Sequence, residues 1–570
     1  MVNNEISAIF RDIADILEIK GANRFRIRAY QRAAQNIDAL SGDLETYLRD
    51  NRLTDIPGIG KDLSGKIREF YQSGKIRFYE ELKKSLPSGL MDLLQIPSVG
   101  PKTTRLLYEK LKIASIVGLE RAIRLKMVSG IPGIKEKTVE NIKKGIKLLR
   151  RGRERMTLAE ATELADKFVS TLKRLKEIKK IEVAGSLRRQ KDTVGDVDIL
   201  VVSDNPARVM RTFTSIPLVS RIQAEGRTKS SVRTRDDIQL DCRVVEARSF
   251  GAALMYFTGS KNFNIKLRQW AIRRGLKVNE YAILRNDKFI AGRTENEIFK
   301  LFGIPYIEPE LREDAGELEL ALKGALPKLI DLKDVKGDLH VHSSWSDGRG
   351  SIKDISHACR QLGYSYVAVT DHSQGLKVAN GLTPKDLVKK KREIDAINRV
   401  PGGPRLLYAA EVDIDSEGRL DYPDSILKEF DLVVASIHSG FKQSRQQLTR
   451  RIVKACGNKY AHIIGHPTGR LWGTREAYEI DLQEVFRAAH DTNTHFEINS
   501  FPERLDFNDY NCRRAKEAGI KLAISTDAHS VDQLSAMRFG LAMARRGWLE
   551  KKDVINTYPL EDFLKLIEKR

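Results

Sequence analysis

The segment IEVAGSLRRQKDTVGDVDILVVS (181–203) decides the fold of the central part of the chain. It reads as a strand, a Gly-Ser turn, a basic stretch and a second strand that carries Asp196 and Asp198. Alternate residues of a strand point to the same face, so these two carboxylates are predicted to converge. Two carboxylates held together raise each other's pKa unless a cation neutralises them. A D-x-D pair alone is typical of a protein surface, but the preceding turn favours a site for Mg²⁺ or Mn²⁺.

The residues around this pair supply the other parts of a phosphate site. A third acid is expected on a neighbouring strand, and IQLDCRVVEA (238–247) offers Asp241. The turn of Gly185 and Ser186 can hold a terminal phosphate by backbone N–H and hydroxyl groups, and Arg189 adds positive charge. This combination resembles the nucleotidyltransferase superfamily, in which a Gly-Ser turn precedes the D-x-D pair.

The following segment narrows the resemblance. ALMYFTGSKNFNIKLRQWAIRRGLKVNEYAI (253–283) resembles the thumb of family X DNA polymerases, and residues 1–315 keep that family's order of motifs. The resemblance implies that Asp196, Asp198 and Asp241 are catalytic ligands of Mg²⁺ or Mn²⁺. It also implies that the incoming nucleotide is bound by Gly185, Ser186, Arg189, Gly195, Tyr256, Phe257, Gly259, Asn264 and Arg268. The less favoured alternative for Tyr256 and Phe257 is that they are core aromatics at a domain hinge.

Two departures from the family pattern qualify this resemblance. Lys261 stands where the family has an acid, so the contacts near the incoming base are expected to differ. Lys66 matches the Schiff-base lysine of repair members, whereas Phe25 and Arg26 replace their phosphate-binding histidine and lysine. Such a lysine needs a lowered pKa to act as a nucleophile. The sequence therefore leaves open whether Lys66 forms a Schiff base or only contacts phosphate.

One short pattern occurs three times in the N-terminal part of the chain. The copies are LTDIPGIGKDLSGKI (53–67), LLQIPSVGPKTTRLL (93–107) and VSGIPGIKEKTVENI (128–142). Each predicts two helices joined by a tight turn, where backbone N–H groups and a helix N-terminus attract one phosphate. The third copy keeps Gly133 but has Lys135 in place of the second glycine. These copies resemble helix-hairpin-helix motifs, and the predicted DNA contacts are Gly58, Gly60, Lys61, Gly100 and Lys102.

In the C-terminal part, successive predicted strands end in residues that bind metals. These candidate ligands are His340, His342, Asp347, His372, Glu411, His438, His466, Asp527 and His529. The strands alternate with helices, which is typical of a β/α barrel whose site lies at the carboxyl ends of its strands. Core packing does not explain nine such residues at strand ends. Mixed imidazole and carboxylate ligands favour Zn²⁺ or Mn²⁺, with up to three ions.

The order and spacing of these ligands resemble the polymerase and histidinol phosphatase (PHP) family over residues 335–570. The family's ligand positions are all filled here, whereas some members have lost them. The resemblance implies phosphoesterase chemistry and a distorted barrel of the triosephosphate isomerase type. Beside a DNA-binding region, it implies 3′–5′ exonuclease activity, 3′-end processing and abasic-site cleavage.

The charge of the chain is distributed unevenly. Of the net charge of +22, roughly +18 lies before residue 335 and about +4 after it. This asymmetry favours a nucleic-acid partner over a merely solvated basic surface. We expect no membrane span and no secretory signal, because no stretch has the required apolar length or the basic-then-apolar pattern. Four scattered cysteines without a CxxC pair suit a reducing cytoplasm, and we expect a monomer.

The patterns together predict a multidomain fold. It combines α-helical N-terminal domains, an α+β nucleotidyltransferase palm with its thumb, and a C-terminal β/α barrel. The expected boundaries are 1–85 (lyase-like, helix-hairpin-helix), 86–150 (fingers-like), 151–250 (palm), 251–316 (thumb), 317–334 (linker) and 335–570 (PHP).

The interpretation that follows is a repair enzyme acting on gapped or nicked DNA with dNTPs. Its polymerase part would fill short gaps and its PHP part would process 3′ ends. One alternative is a DNA-targeted phosphatase or nuclease with a degenerate transferase domain, and another is a non-catalytic module that binds DNA ends. The intact palm aspartates disfavour the first alternative, and the filled metal positions disfavour the second.

Overall fold

A computed structural model describes residues 2–38, 40, 44–87 and 89–569 of the chain. It divides into two compact units. The first comprises Met1–Gly152 with the short segments Asp347–Gly350 and Gly473–Glu476, and the second comprises the rest. Among the described residues, no helix combines the length and apolar character needed to cross a bilayer.

The first unit is helical. Its helices are α1 (Val2–Ile19), α2 (Arg24–Asp38), α3 (Leu44–Arg49), α4 (Lys61–Ser73), α5 (Arg77–Lys84), α6 (Pro101–Leu111), α7 (Ile116–Arg124) and α8 (Glu136–Glu154). Each amphipathic helix has apolar residues at helical spacing along the side that faces the core. One contact between such sides joins α1 and α2, where the rings of Phe10 and Tyr30 pack edge to face. Three short 3₁₀ helices precede the turns that begin α4, α6 and α8, at Leu53–Asp55, Met91–Gln95 and Val128–Gly130.

The three predicted hairpins share one backbone conformation. In each, an amide donates to the isoleucine carbonyl three residues earlier, at 3.0 Å for Ile59, 2.9 Å for Val99 and 3.0 Å for Ile134. The left-handed residue of the turn is Gly58 in the first copy, Ser98 in the second and Gly133 in the third. The third copy therefore forms the same turn, although Lys135 replaces its second glycine.

The second unit begins with the predicted palm. Its elements are β1 (Met156–Thr157), α9 (Leu158–Leu172), β2 (Ile178–Val183), α10 (Gly185–Arg188), β3 (Thr193–Val194), β4 (Asp196–Ser203), α11 (Pro206–Thr214), β5 (Val219–Glu225), β6 (Lys229–Thr234) and β7 (Gln239–Val244). Five strands form a sheet in the order β2-β4-β7-β6-β5, in which β4 and β7 are parallel neighbours. Helices α9 and α11 cover one face, where Phe168 and Phe213 pack together.

The predicted thumb follows the palm sheet. It contains α12 (Phe250–Thr258), α13 (Lys261–Ile272), β8 (Lys277–Val278), β9 (Ile283–Arg285), β10 (Lys288–Ala291), α14 (Glu295–Leu301) and α15 (Glu317–Leu322). Buried Glu295 accepts hydrogen bonds from Arg188 and Arg312, so one carboxylate joins the end of α10 to the thumb. Because both guanidiniums pair with it, burial does not prevent Glu295 from ionising, and its pKa falls to about 2.

The C-terminal part is a nearly closed parallel barrel. Its elements are β11 (Gly337–Val341), α16 (Ile352–Gln361), β12 (Tyr366–Val369), α17 (Pro384–Asn398), β13 (Arg405–Asp413), α18 (Asp424–Leu427), β14 (Leu432–Ser436), α19 (Arg445–Cys456), β15 (Ile463–Ile464), α20 (Leu482–Asp491), β16 (His495–Asn499), α21 (Asp509–Glu517), β17 (Leu522–Ser525), α22 (Met537–Arg546) and α23 (Leu560–Ile567).

The seven barrel strands pair in sequence order. The first and last are linked near their carboxyl ends, where Asp527, just after β17, donates its amide to the carbonyl of His340 in β11 at 2.9 Å. Such strands are buried on both faces and therefore read as apolar runs, as in YVAV of β12. The candidate metal ligands at the strand ends consequently lie at the same end of the barrel.

Candidate active sites

The palm aspartates meet on two adjacent strands. Asp196 and Asp198 lie two residues apart on β4, and Asp198 is the direct register partner of Asp241 on β7. The parallel pairing therefore brings the third carboxylate to the same position along the sheet. Asp241 is held in place because it accepts hydrogen bonds from Ser231 and, at 3.0 Å, from Gln239.

The proximity of these acids disfavours their charged forms in the metal-free protein. Burial, followed by the charges of Asp196 and Asp241, raises the pKa of Asp198 to about 7. Burial and Asp241 also raise the pKa of Asp196. A divalent cation would relieve this repulsion, so the carboxylates suit Mg²⁺ or Mn²⁺.

Binding of Mn²⁺ to the palm aspartates is expected to weaken as the pH falls through about 7. Protonated Asp198 must lose its proton before it binds, so affinity should fall up to about tenfold per pH unit below that value. Calorimetry on the metal-free protein from about pH 5 to pH 8 measures this, with Asp198→Asn as the control that removes the titrating group. Residues of each candidate barrel set are replaced in the same protein (His340→Ala with His342→Ala and Glu411→Gln) so that binding by the palm dominates the measurement. An affinity that stays constant across this range would contradict the assignment.

A cleft of about 500 Å³ opens beside the palm aspartates. Its lining includes Asp196, Asp198 and the predicted nucleotide contacts Gly185, Ser186, Arg189, Gly195, Tyr256, Phe257, Gly259, Asn264 and Arg268. The fold thus gathers nine nucleotide-binding candidates that are up to 83 positions apart in the sequence. Asp241 is not part of this lining.

Three basic residues of the cleft were not among the predicted contacts. Arg155 and Lys191 line it, as does Lys261, whose sequence signal is only its departure from the family pattern. Arg155 donates to the carbonyl of Thr193 at 2.6 Å, which fixes it beside Gly195. The basic content of segments 150–155 and 188–191 was a signal for the first two, but charge alone does not show which residues face a site.

Gly185 lies close to the carboxylate of Asp198. It has a φ of +64°, and a Cβ there would approach Oδ2 of Asp198 to 2.6 Å. Glycine is therefore required both by the backbone conformation and by the space beside Asp198.

Replacement of Gly185 by alanine is expected to lower nucleotide incorporation by about 100-fold, because it displaces Asp198. The matched control is Gly275→Ala, which has nearly the same φ of +65° but nothing within 4 Å of the added Cβ. Primer extension and thermal melting of both variants separate the loss of activity from backbone strain. Equal loss in the two variants would show that the contact with Asp198 does not matter.

The aromatic pair of the cleft is ordered by polar neighbours. Tyr256 and Phe257 meet edge to face with ring centroids 5.1 Å apart. Asn264 donates to the Tyr256 carbonyl at 2.7 Å, and the Arg268 guanidinium lies 6.0 Å from the Tyr256 ring. These contacts place the aromatic pair at the cleft and not in a closed core.

The first unit places Lys66 in a different setting. Its ammonium group pairs with Asp62 and lies 5.3 Å from the Phe78 ring, above which Arg26 also sits at 4.9 Å. The Lys66 side chain is only 12% exposed. The arrangement is compatible with phosphate binding as well as with a nucleophilic lysine, and both stay predictions.

The hairpin glycines leave room for a ligand. Gly60 and Gly100 have ordinary negative φ angles and cap α4 and α6. A Cβ on either would meet no protein atom within 4 Å, so the fold itself does not demand glycine there. A close approach of DNA phosphate to the backbone would explain both residues, and Lys61 and Lys102 follow within two positions.

At the mouth of the barrel, imidazoles and carboxylates converge. The barrel cluster is defined here as eight residues, which are His340, His342, His372, Glu411, His438, His466, Asp527 and His529. Ligand atoms within 4.8 Å of one another occur in the sets His340-His342-Asp527 and His372-Glu411-His438, and also among His342, His372 and His529. Asp347 lies in the loop between β11 and α16, and its role as a ligand stays a prediction.

Glu411 occupies the middle of the barrel cluster. Its Oε1 lies 2.9 Å from Nε2 of His466 and 3.2 Å from Nε2 of His438. Its Oε2 lies 3.4 Å and 3.6 Å from the Nε2 atoms of His340 and His342. This Oε2 is buried and lies 2.9 Å from Nδ1 of His372, but no described residue donates to it with hydrogen-bond geometry.

The charges around Glu411 are those of a cation site. Burial alone would raise its pKa, but His438, His340 and His372 hold the pKa well below its usual range. A buried carboxylate oxygen without a hydrogen bond, surrounded by ring nitrogens, is the donor set expected for a divalent ion. The residues present therefore fit Zn²⁺ or Mn²⁺.

Supporting residues behind the barrel cluster were missed from the sequence. Glu497 lies 2.7 Å from Nδ1 of His340, and its other oxygen accepts the His466 amide at 2.6 Å. Asp413 lies 3.3 Å from Nδ1 of His438. Such partners orient a ligating imidazole and set its tautomer. Both acids lie near the carboxyl ends of β16 and β13, so the same strand-end rule could have found them.

Family models match most of the chain. They are the helix-hairpin-helix domain (residues 1–76), the SAM-like helix-hairpin-helix tandem (90–148), the DNA polymerase beta palm (155–240), the DNA polymerase beta thumb (253–313) and the PHP domain (338–501). These ranges fall within the helical, palm, thumb and barrel regions described above, and the PHP match ends at residue 501, before β17.

Relatives cover the chain as a whole and in its two parts. The DNA polymerase/3′-5′ exonuclease PolX of Bacillus subtilis is 38% identical over 99% of this chain and 98% of its own length. DNA polymerase lambda of Rattus norvegicus is 24% identical over 55% of this chain and 56% of its own. A probable phosphatase of Thermoanaerobacter sp. is 29% identical over 39% of this chain and 89% of its own. The chain therefore belongs to the family X DNA polymerases that carry a C-terminal PHP domain.

Proposed function

We propose that this chain is a DNA-directed DNA polymerase that fills short gaps during DNA repair and trims 3′ ends with its PHP domain. The observation that carries the polymerase activity is the register of Asp198 with Asp241, beside a cleft lined by the Gly185-Ser186 turn and basic side chains. The relative over its full length, named a DNA polymerase/3′-5′ exonuclease, supports both activities.

In the palm, the protein's own groups would align the primer end with the nucleotide. Mg²⁺ or Mn²⁺ bound by Asp196, Asp198 and Asp241 would lower the pKa of the 3′-hydroxyl and neutralise charge on the triphosphate. Asp241 is oriented for this by Ser231 and Gln239. Ser186, Arg189 and Gly195 would hold the triphosphate, and the aromatic pair would face the sugar.

In the barrel, the cluster around Glu411 would bind Zn²⁺ or Mn²⁺, with up to three ions, and Asp347 would complete the ligand set. These ions would supply positive charge and an activated water for attack on a DNA phosphodiester. Glu497 and Asp413 would keep His340 and His438 in the orientation required for binding. The donor set suits 3′–5′ exonuclease and 3′-end processing, while abasic-site cleavage stays a prediction.

The helical unit would grip the DNA backbone without reading bases. Hairpin amides and helix N-termini recognise phosphate, so binding should not depend on sequence. This suits an enzyme that must act at gaps and nicks of any sequence, and Gly58, Gly60, Lys61, Gly100 and Lys102 are the proposed contacts.

A labelled primer at a one-nucleotide gap tests the proposal. With dNTPs and Mg²⁺ or Mn²⁺, the primer should lengthen by the templated nucleotide, and without dNTPs in Mn²⁺ it should shorten from its 3′ end. Chelation should stop both reactions. A chain that neither extends nor shortens the primer with either ion would overturn the proposal.

A further inference from the structure

We infer that Arg546, a residue of the barrel, positions the nucleotide-binding Arg189 of the palm, so that the PHP domain helps to set the affinity of the polymerase for dNTPs. Arg546 is the last residue of α22 and lies 357 positions from Arg189. The inference rests on the proposed polymerase function, since it assumes that Arg189 contacts the triphosphate. Arg546 is therefore a positioning residue and not a catalytic one.

Arg546 is buried and fully engaged, with a side chain only 2% exposed. It donates to Oδ2 of Asp509 from Nε at 2.9 Å and from Nη2 at 2.6 Å, so Asp509 anchors it within the barrel. Its Nη1 donates to the Arg189 carbonyl at 2.6 Å and to Oε1 of Glu313 at 3.1 Å. A single nitrogen thus donates both to the palm backbone and to a thumb residue that lies between α14 and α15.

Glu313 carries the connection to the side chain of Arg189. The same Oε1 atom accepts a hydrogen bond from Nε of Arg189 at 3.0 Å, and Nζ of Lys191 lies 3.7 Å away. Burial would raise the pKa of Glu313, but Arg546, Arg189 and Lys191 lower it. Glu313 therefore stays charged and holds basic residues from the palm and the barrel at one point.

These contacts restrict the guanidinium of Arg189. Nε is held by Glu313, and Nη1 donates to the carbonyl of Thr258 at the end of α12. Bonds at two positions of a planar group fix its plane, and two of its five N–H donors are used in them. Arg189 also lines the palm cleft, as does Lys191.

A guanidinium fixed before the nucleotide arrives loses little freedom on binding. Without Arg546, Glu313 and the backbone at Arg189 would each lose a partner that comes from the barrel. Arg189 would then have to be ordered by the triphosphate itself. The effect should appear in the KM for dNTPs, because the barrel cluster and the palm aspartates are untouched.

Steady-state gap filling by the full chain carrying Arg546→Met tests this link. We expect the KM for dNTP to rise about tenfold, while kcat and the affinity for gapped DNA change less than about twofold. The matched control is Arg545→Met on the same helix, because Arg545 donates to Glu310 at 2.6 Å and to the Ile330 carbonyl at 2.9 Å, and not to this network. It should leave the KM unchanged.

Glu313→Gln provides a second test that does not require loss of a buried arginine. The Glu313 side chain is 24% exposed. In the variant, the amide oxygen of the glutamine side chain can still accept a hydrogen bond, but the negative charge is lost. The KM should again rise, and in the double variant with Arg546→Met the two effects should not add, because both act on one link. If Arg546→Met fails to fold, Glu313→Gln alone decides the inference. A normal KM in every folded variant would overturn it.

Failure of this inference differs from failure of the proposed function. If Asp196→Asn with Asp198→Asn abolishes incorporation while Arg546→Met and Glu313→Gln keep a normal KM, the inference alone is wrong. If the double aspartate variant still incorporates nucleotides, the polymerase site itself is misassigned and the inference is lost with it.

Discussion

Asp196→Asn combined with Asp198→Asn is expected to lower nucleotide incorporation at a one-nucleotide gap by roughly 10³-fold or more. Neutral amides cannot compensate the charge of the ions that bind the triphosphate. Without these ions, the transition state would lose several kcal/mol of stabilisation, which corresponds to a rate reduction of roughly 10³-fold. Asparagine preserves the size of both side chains, so the sheet should be retained. Primer extension with Mg²⁺ and with Mn²⁺ provides the measurement.

The same double variant should still shorten a 3′ end without dNTPs, because the barrel cluster lies in other elements of the chain. Asp204→Asn is the matched control, since Asp204 directly follows β4 but is exposed and paired with Lys179. It should extend primers normally. Normal extension by the double aspartate variant would mean that the palm assignment is wrong.

His340→Ala combined with His342→Ala is expected to lower 3′–5′ degradation of DNA by roughly 10³-fold, with little change in gap filling. The two Nε2 atoms lie 3.1 Å apart and belong to one candidate ligand set with Asp527. Removing both ligands should empty at least one ion position and the charge stabilisation it supplies. Elemental analysis of the purified variant should show less Zn or Mn per chain, alongside the loss of degradation.

The control for this variant is His357→Ala, which removes an imidazole from the exposed face of α16. It should change neither the metal content nor the degradation rate. Glu411→Gln offers a variant of unchanged size in the same cluster and should reproduce the defect. Degradation that persists in both cluster variants, or that is insensitive to chelation, would place the nuclease activity outside the barrel.

Most of the architecture could be predicted because it follows from patterns within short stretches of the sequence. Alternation along β4 placed two aspartates on one face, and repeated strand-helix units placed ligands at the barrel mouth. The family models and relatives confirm the resulting fold class. The third hairpin was harder to judge, because Lys135 departs from the motif although the left-handed residue of its turn is Gly133.

The orienting role of the supporting residues could not be predicted in the same way. The strand-end position of Glu497 could have marked it as a candidate, but only the packing shows that it contacts Nδ1 of His340. Arg155 and Lys191 are two among many basic residues, and only the folded cleft distinguishes them. Residue type and spacing indicate which groups can do chemistry, but not which of them orient the others.

The sequence by itself determined the order of the domains, the identity of the candidate metal ligands and the kind of partner, because residue chemistry and strand or helix periodicity are local properties. Tertiary structure decided the pairing of Asp198 with Asp241, the central place of Glu411 and the link from Arg546 through Glu313 to Arg189. The physical reason is that register and packing join residues that are far apart in the chain. A pattern within a short stretch of sequence does not predict which distant segment that stretch will contact.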